Sequence, residues 1–138
     1  MSAGAKRGGY TKVVYGTTTG LSTSTEITGL LGGTIIGEGE TTSVEDAAGL
    51  QISTGYRQGG DVRTSALTAA FITNLIAAQN NCTDLYFRYY STGAKRQKVG
   101  PVRVTVRYAG AAPGELQQYI ISYTSFVEDA ADVVTIEA

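Results

Sequence analysis

Residues 64–90 read TSALTAAFITNLIAAQNNCTDLYFRYY, and a change of period inside this stretch decides the fold. Leu67, Phe71, Leu75 and Ala78 recur at i, i+4, i+8 and i+11, and Ile72 and Ile76 widen the stripe to about a third of a helical surface. The spacing predicts a helix over about 64–80 lying on a core. Thr64 or Ser65 supplies a hydroxyl to accept from the free N–H groups of the first turn. Asn80-Asn81 is expected to end the helix, because Asn tolerates the left-handed conformation of a C-cap. From Leu85 the period becomes two: Leu85, Phe87 and Tyr89 face one way, and Tyr86, Arg88 and Tyr90 the other.

No second good helix is found. Outward from residues 64–90, Tyr10–Thr19, Ser22–Thr28 (weaker), Leu50–Tyr56, Pro101–Tyr108, Glu115–Val127 and Val133–Ile136 read as strands. Pro101–Tyr108 (PVRVTVRY) is the clearest, with Val102, Val104, Val106 and Tyr108 expected inward and Arg103, Thr105 and Arg107 outward. With Leu85–Tyr90 it forms an antiparallel hairpin around a basic loop, 91–100. Residues 115–127 are apolar on both faces, which implies burial on both or burial on one and assembly on the other. Arg57–Arg63 (RQGGDVR), Ala109–Gly114 and Glu128–Asp132 read as loops or turns, and residues 1–9 as an N-terminal arm. The fold class expected is α+β, mainly β: an antiparallel sandwich or barrel of about seven strands with one mid-chain helix, in a single domain over 1–138.

Residues 29–49 (GLLGGTIIGEGETTSVEDAAG) are the least regular part, with Leu30-Leu31 and Ile35-Ile36 set among six glycines and four acids. Long irregular loops in compact domains are usually functional, and pure disorder seldom carries paired aliphatics. Two alternatives stand: an arm that orders against a neighbouring copy, or a hairpin folded onto its own core. The candidate assembly residues are Leu30, Leu31, Ile35, Ile36, Glu38, Glu40 and Glu45. A phosphate loop is rejected, because Glu38 and Glu40 flank Gly39 and would repel the anion.

Net charge is −1, but the charges are segregated. Residues 1–25 carry +3, 26–56 carry −5, 57–110 carry +6 and 111–138 carry −5. Such blocks either steer one copy's basic face onto another's acidic face or mix on a solvated surface. Arg88, Lys95, Arg96, Lys98, Arg103 and Arg107, interleaved with Tyr86 and Tyr90, form the candidate basic interface. A nucleic-acid face is the minor alternative, since the aromatic pattern of RNA-binding sheets is missing and the chain is slightly acidic.

There is no His, and the single cysteine, Cys82, has no partner for a disulfide. Without His the commonest general base and neutral metal ligand are missing. Glu45-Asp46 and Glu128-Asp129 are neighbours whose side chains point apart on an extended chain, so they read as solvated turns rather than acid/base pairs. Cys82 reads as a small buried residue. No catalytic set, metal site or cofactor is expected. Neither an apolar leader nor a membrane-spanning apolar run is seen, so no membrane anchor is expected.

The order of elements resembles that of the tail tube proteins of long-tailed bacteriophages, and of the similar type VI secretion tube protein. The loop 29–49, the helix TSALTAAFITNLIAAQNN, the hairpin DLYFRYY…VRVTVRY and the closing segment ELQQYIISYTSFVEDAADVVTIEA carry the resemblance. It implies a non-enzymatic structural protein of the virion tail, made in the host bacterial cytoplasm. Its copies would close into rings, six to a ring, and stack into a hollow tube through which DNA passes without specific binding. Other tail proteins would meet the tube ends, and the long loop would reach a neighbouring subunit or ring. A head decoration or tail completion protein is the alternative.

Overall fold

The computed structural model describes residues 10–33, 36–37, 39–91, 96–127 and 134–137. In chain order its elements are β1 (Tyr10–Gly16), β2 (Thr25–Glu26), β3 (Leu30–Gly32), β4 (Gly39–Glu45), β5 (Gln51–Thr64), α1 (Ala70–Asn80), β6 (Leu85–Ser91), β7 (Arg96–Ala109), β8 (Gln118–Val127) and β9 (Val134–Glu137). The main path of the sheet is β2-β1-β6-β7-β8-β5-β3, with β4 added on β5 and β9 on β7. Every pairing is antiparallel. The expected class therefore holds: mainly β, seven strands along the path, one mid-chain helix, the whole curled into a half-barrel.

Strand β7 makes the curl. Its first half pairs with β6 and β9, and its second half, Arg103–Ala109, pairs with β8. Leu85 faces Val102 and Phe87 faces Val99, so three steps on β7 match two on β6. The extra residue falls at Gly100-Pro101, where Pro has no N–H to give to a ladder. A Cβ on Gly100 would stand 2.5 Å from a Tyr86 ring carbon and 2.9 Å from the Leu85 carbonyl oxygen. Only glycine lets the strands close here. A bulge bends its strand, and β7 thereby passes from a first sheet (β2-β1-β6-β7-β9) to a second (β7-β8-β5 with β3 and β4).

The core lies inside the curl. Phe87 stacks on Tyr123 at 4.8 Å between ring centres, and Tyr15 lies 5.9 Å from Phe87. Val13, Val62, Val99, Val102, Val104 and Ile121 surround them. Helix α1 closes this core with Phe71, Ile72 and Leu75. It also covers backbone: the pairing of β7 with β6 ends at Val102, opposite Leu85, and further along β7 the Val106 N–H donates to Gln79 Oε1 at 2.7 Å. An otherwise unpaired strand donor is thus satisfied from the helix.

Several boundaries differ from the sequence expectation. The helix starts at Ala70, with Ala69 at the N-cap and no side-chain cap. Thr64 and Ser65 do not cap it. Thr64 ends β5, fully buried, its Oγ1 donating to the Thr28 carbonyl at 2.5 Å, and Ser65 Oγ donates to the Gly29 carbonyl at 3.3 Å. Those hydroxyls tie residues 28–29 to β5. Leu67 accordingly precedes the helix, and Ile76 turns outward. At the other end Asn81 is not left-handed (φ −94°); Cys82 is, at φ +53°. The Thr83 N–H reaches the Ala78 carbonyl and the Cys82 N–H the Gln79 carbonyl, the paired bonds of a Schellman cap. Cys82 is exposed, not buried.

Arg57–Arg63 is not a loop but the middle of β5, paired with β8 through Gly59 and Gly60. The glycines there suit close backbone approach: the Gly37 N–H donates to the Gly59 carbonyl at 2.7 Å. Tyr108, expected inward, is 45% exposed, because the core ends before the β7–β8 turn. Strand β8 begins at Gln118, leaving Leu116 in the turn and exposed. Ile120 and Ile121 are both buried, which accounts for apolar residues on both faces of that strand. The expected arm 1–9 and the turn 128–132, with the acids Glu128, Asp129 and Asp132, lie outside the described residues.

Candidate assembly surfaces

In its described residues the stretch 29–49 pairs with β5 of its own chain. Leu30 faces Thr64 in β3, and Gly39–Glu45 runs antiparallel to Gln51–Gln58. Between them Gly33 and Gly37 lie against β5. A Cβ on Gly33 would come within 2.6 Å of the Asp61 carbonyl oxygen, and one on Gly37 within 2.7 Å of the Gly59 oxygen. The buried Gln58 side chain donates to the Gly37 carbonyl at 2.6 Å. The glycines that look like flexibility in the sequence are contact points between backbones. Leu30 and Ile36 pack against the core, and Leu31 is 42% exposed. Ile35 and Glu38 lie outside the described residues. Glu40 sits in β4 opposite Arg57, and Glu45 is the last residue of β4, exposed.

The pairing partners of β5 change along its length. Residues Tyr56–Thr64 pair with β8, whereas Gln51–Gly55 pair only with β4 among the described residues. The β4–β5 hairpin therefore runs out past the end of β8. Its turn is built by Asp46, whose Oδ1 accepts from the Ala48 and Leu50 N–H groups, both at 2.9 Å. Gly49, at φ +83°, takes the left-handed position that closes such a turn. Asp46 is thus a turn residue, as its neighbour-pair reading implied. Near this tip Val44 is 54% and Leu50 65% exposed. At the opposite end of the second sheet Tyr108 and Leu116 are also exposed.

The candidate basic residues do not form one surface. Arg88 faces Lys98 across β6 and β7, and Tyr90 faces Arg96. On the other side of β6, Arg88 faces Val14 and Tyr90 faces Lys12. Opposed residues share a face of the sheet, so Lys12, Arg88, Arg96 and Lys98 stand together on the outer face of the first sheet, around Tyr90. Lys12 and Arg96 lie 5.4 Å and 5.9 Å from the centre of that ring. Burial alone would raise the Tyr90 hydroxyl's pKa, but hydrogen bonds from Arg88 and Arg96 and the charges of Arg88 and Lys12 bring it below the ordinary tyrosine value. Lys98 also donates to the Thr19 carbonyl at 2.8 Å. Glu26, opposite Val14, is the acid of this face whose side chain is described.

Arg103 and Arg107 lie elsewhere, on the second half of β7. Arg103 pairs with Asp84, which raises its pKa, and Arg107 is exposed opposite Ile120. Lys95 lies outside the described residues. The sequence reading left out Lys12. Its strand position was legible, but only the register of β1 on β6 puts it beside Tyr90.

A cavity of about 350 Å³ opens between α1 and the β1–β2 connection, lined by Tyr15, Thr25, Asn74 and Asn81 among others. Burial raises the Tyr15 hydroxyl's pKa, with Thr25 and Asn74 on the wall pulling it partly back. Among the described residues, no three Cys, Asp or Glu side chains gather as a metal site. No helix of the described residues is long and apolar enough to cross a membrane.

No family model matches the chain, and no curated protein matches it in sequence. Solved structures do match in fold. A chain from the virion of a native gene transfer agent (GTA) particle is 16% identical, with a TM-score of 0.53; the match covers 91% of this chain and 95% of that one. A chain from the tail of an empty GTA particle, determined with helical refinement and C6 symmetry, is 19% identical, with a TM-score of 0.54, over 86% of this chain and 96% of that one. Along nearly its whole length, the chain thus shares its fold, at low sequence identity, with chains of a GTA virion and of a GTA tail.

Proposed function

We propose that this protein is a structural subunit of a virion tail, that it builds the tail tube, and that it acts by self-assembly rather than by catalysis. The observation that carries the reading is the β4–β5 hairpin. It extends past β8 and exposes Val44 and Leu50, side chains that a monomer gains nothing by displaying. Exposed Tyr108 and Leu116 at the far end of the same sheet supply a second contact region. A patch at one end that meets a different patch on the next copy is a heterologous contact, which closes rings or propagates stacks. The likeness in fold to a chain of a C6-symmetric GTA tail supports this reading and suggests six copies to a ring.

On this reading rings stack into a hollow tube, the hairpin bridges neighbouring subunits, and other tail proteins meet its two ends. DNA passes along the lumen without specific contacts, which requires that the cationic outer face of the first sheet point away from it. The test is electron microscopy of the purified protein over a concentration series, with mass measured in parallel. Rings or tubes of uniform width are expected. A fixed small oligomer at every concentration, also in the presence of preformed tail tips, would move the assignment to a decoration or completion protein.

A further inference from the structure

We infer that the cleft between α1 and the β1–β2 connection binds a small uncharged saccharide, independently of the tail-subunit reading above. On the strand side, Tyr15 of β1 stands opposite Thr25 of β2, so the two side chains share the face turned towards the helix. On the helix side, Asn74, Ala77, Ala78 and Asn81 recur at i, i+3, i+4 and i+7 and line one side of α1. The two carboxamides stand about 10 Å apart along the axis, with the two alanines between them. The connection is held close to β1. A Cβ on Gly16 would lie 2.5 Å from the Thr23 carbonyl oxygen, and Leu21 is buried beneath the connection.

The lining selects the class of ligand. None of the described residues around the cleft is charged, so neither an anion nor a cation would find a counter-charge to offset its lost hydration. Its polar side chains are hydroxyls and carboxamides, which both donate and accept, as sugar hydroxyls do. Ala77, Ala78 and Leu85 offer apolar surface to the C–H side of a sugar ring. The volume of about 350 Å³ lies at the small end of ligand cavities, about 300–1,000 Å³, and suits one or two rings rather than a polymer. The sharpest sign is Tyr15. It is 7% exposed, and its hydroxyl completes no hydrogen bond among the described residues, although Thr25 and Asn74 stand near it. Buried polar groups nearly always have a partner, and a ligand hydroxyl seated beside Thr25 and Asn74 would supply one. A nucleoside fits less well, because the Tyr15 ring lies against Phe87 in the core and leaves no aromatic face open to a base.

The experiment is saturation-transfer NMR on the full chain, a ligand-observed method that works whether or not the protein assembles. The probes are glucose, N-acetylglucosamine and maltose, with glucose 6-phosphate and adenosine as contrasts. At least one neutral sugar should bind saturably with a Kd of about 1 mM, the strength of a few net-favourable hydrogen bonds in an open cleft. The phosphorylated sugar and adenosine should bind at least about tenfold more weakly. Ala77→Leu, at an exposed helix position, fills the cleft and should weaken binding more than about tenfold with the melt unchanged. Tyr15→Phe should weaken it about three- to tenfold and leave the thermal midpoint level or higher, since it removes an unpartnered hydroxyl. No saturable binding of any neutral sugar up to roughly 50 mM would overturn the site. So would binding indifferent to Ala77→Leu, tighter binding of glucose 6-phosphate or adenosine, or a lower midpoint in Tyr15→Phe, which would show the hydroxyl bonded within the protein.

Discussion

Leu50→Ser isolates what the hairpin tip contributes to assembly. Leu50 is 65% exposed in the single chain, so the folded monomer draws little stability from it. Its backbone N–H still reaches Asp46 Oδ1, and that bond needs no side chain at position 50. The thermal midpoint of the monomer should therefore move little, by less than about 0.5 kcal/mol in stability. Assembly is different. Fully burying a leucine is worth about 1.5–3 kcal/mol. With about two-thirds of the side chain still to be covered, the contact stands to gain roughly 1–2 kcal/mol per subunit. At about 1.4 kcal/mol per factor of ten, the critical concentration should rise roughly 5- to 30-fold. Light scattering across a dilution series measures this, with circular dichroism melts as the control for folding. An unchanged critical concentration together with an unchanged melt would show that the tip is not buried on assembly. An early melt would show instead that the tip is part of the monomer's own core.

Other expectations concern the fold itself. Leu75→Ala, at a fully buried position on α1, should cost about 2–5 kcal/mol in urea unfolding, and a loss under 1 kcal/mol would mean that the helix does not close the core. Gly37→Ala should cost about 1–3 kcal/mol, because its Cβ would press on the Gly59 carbonyl, whereas Gly20→Ala, with open space around it, should be near neutral. Equal effects of the two glycine changes would refute the close approach of residue 37 to β5. Alkaline titration followed by tyrosinate absorbance should show Tyr90 ionising early and Tyr15 late, assigned by Tyr90→Phe and Tyr15→Phe. The signs are opposite. Tyr90's lowered pKa adds stability as pH rises through the window below the ordinary tyrosine value, and Tyr15's raised pKa removes stability as pH climbs beyond it.

Much of the architecture was legible in the sequence because it depends on local periodicity. The switch from period 3.6 at Phe71–Ala78 to period 2 at Leu85–Tyr90 records which side chains each element must bury. The valines of Pro101–Val106 do the same for β7. The class, the single helix and the β6–β7 hairpin follow from that alone. Boundaries were less legible where a side chain had a distant partner. Thr64 looks like a helix cap in sequence, but its hydroxyl is taken by the Thr28 carbonyl, 36 residues away. Cys82 took the left-handed cap position that the neighbouring Asn residues suggested for themselves.

Tertiary structure alone decided the meaning of the glycines and the charges. Gly33, Gly37, Gly59 and Gly60 read as loop in sequence because glycine weakens a strand taken by itself. In the fold the space they leave lets Gly33 and Gly37 lie against the backbone of β5, an arrangement that requires a partner segment more than twenty residues away. Charge segregation was visible from composition, but not which charges share a face. Antiparallel register gathers Lys12, Arg88, Arg96 and Lys98 around Tyr90, and sends Arg103 to Asp84 and Arg107 to another part of β7. Periodicity tells which way a side chain points along its own element; only strand pairing tells what stands beside it.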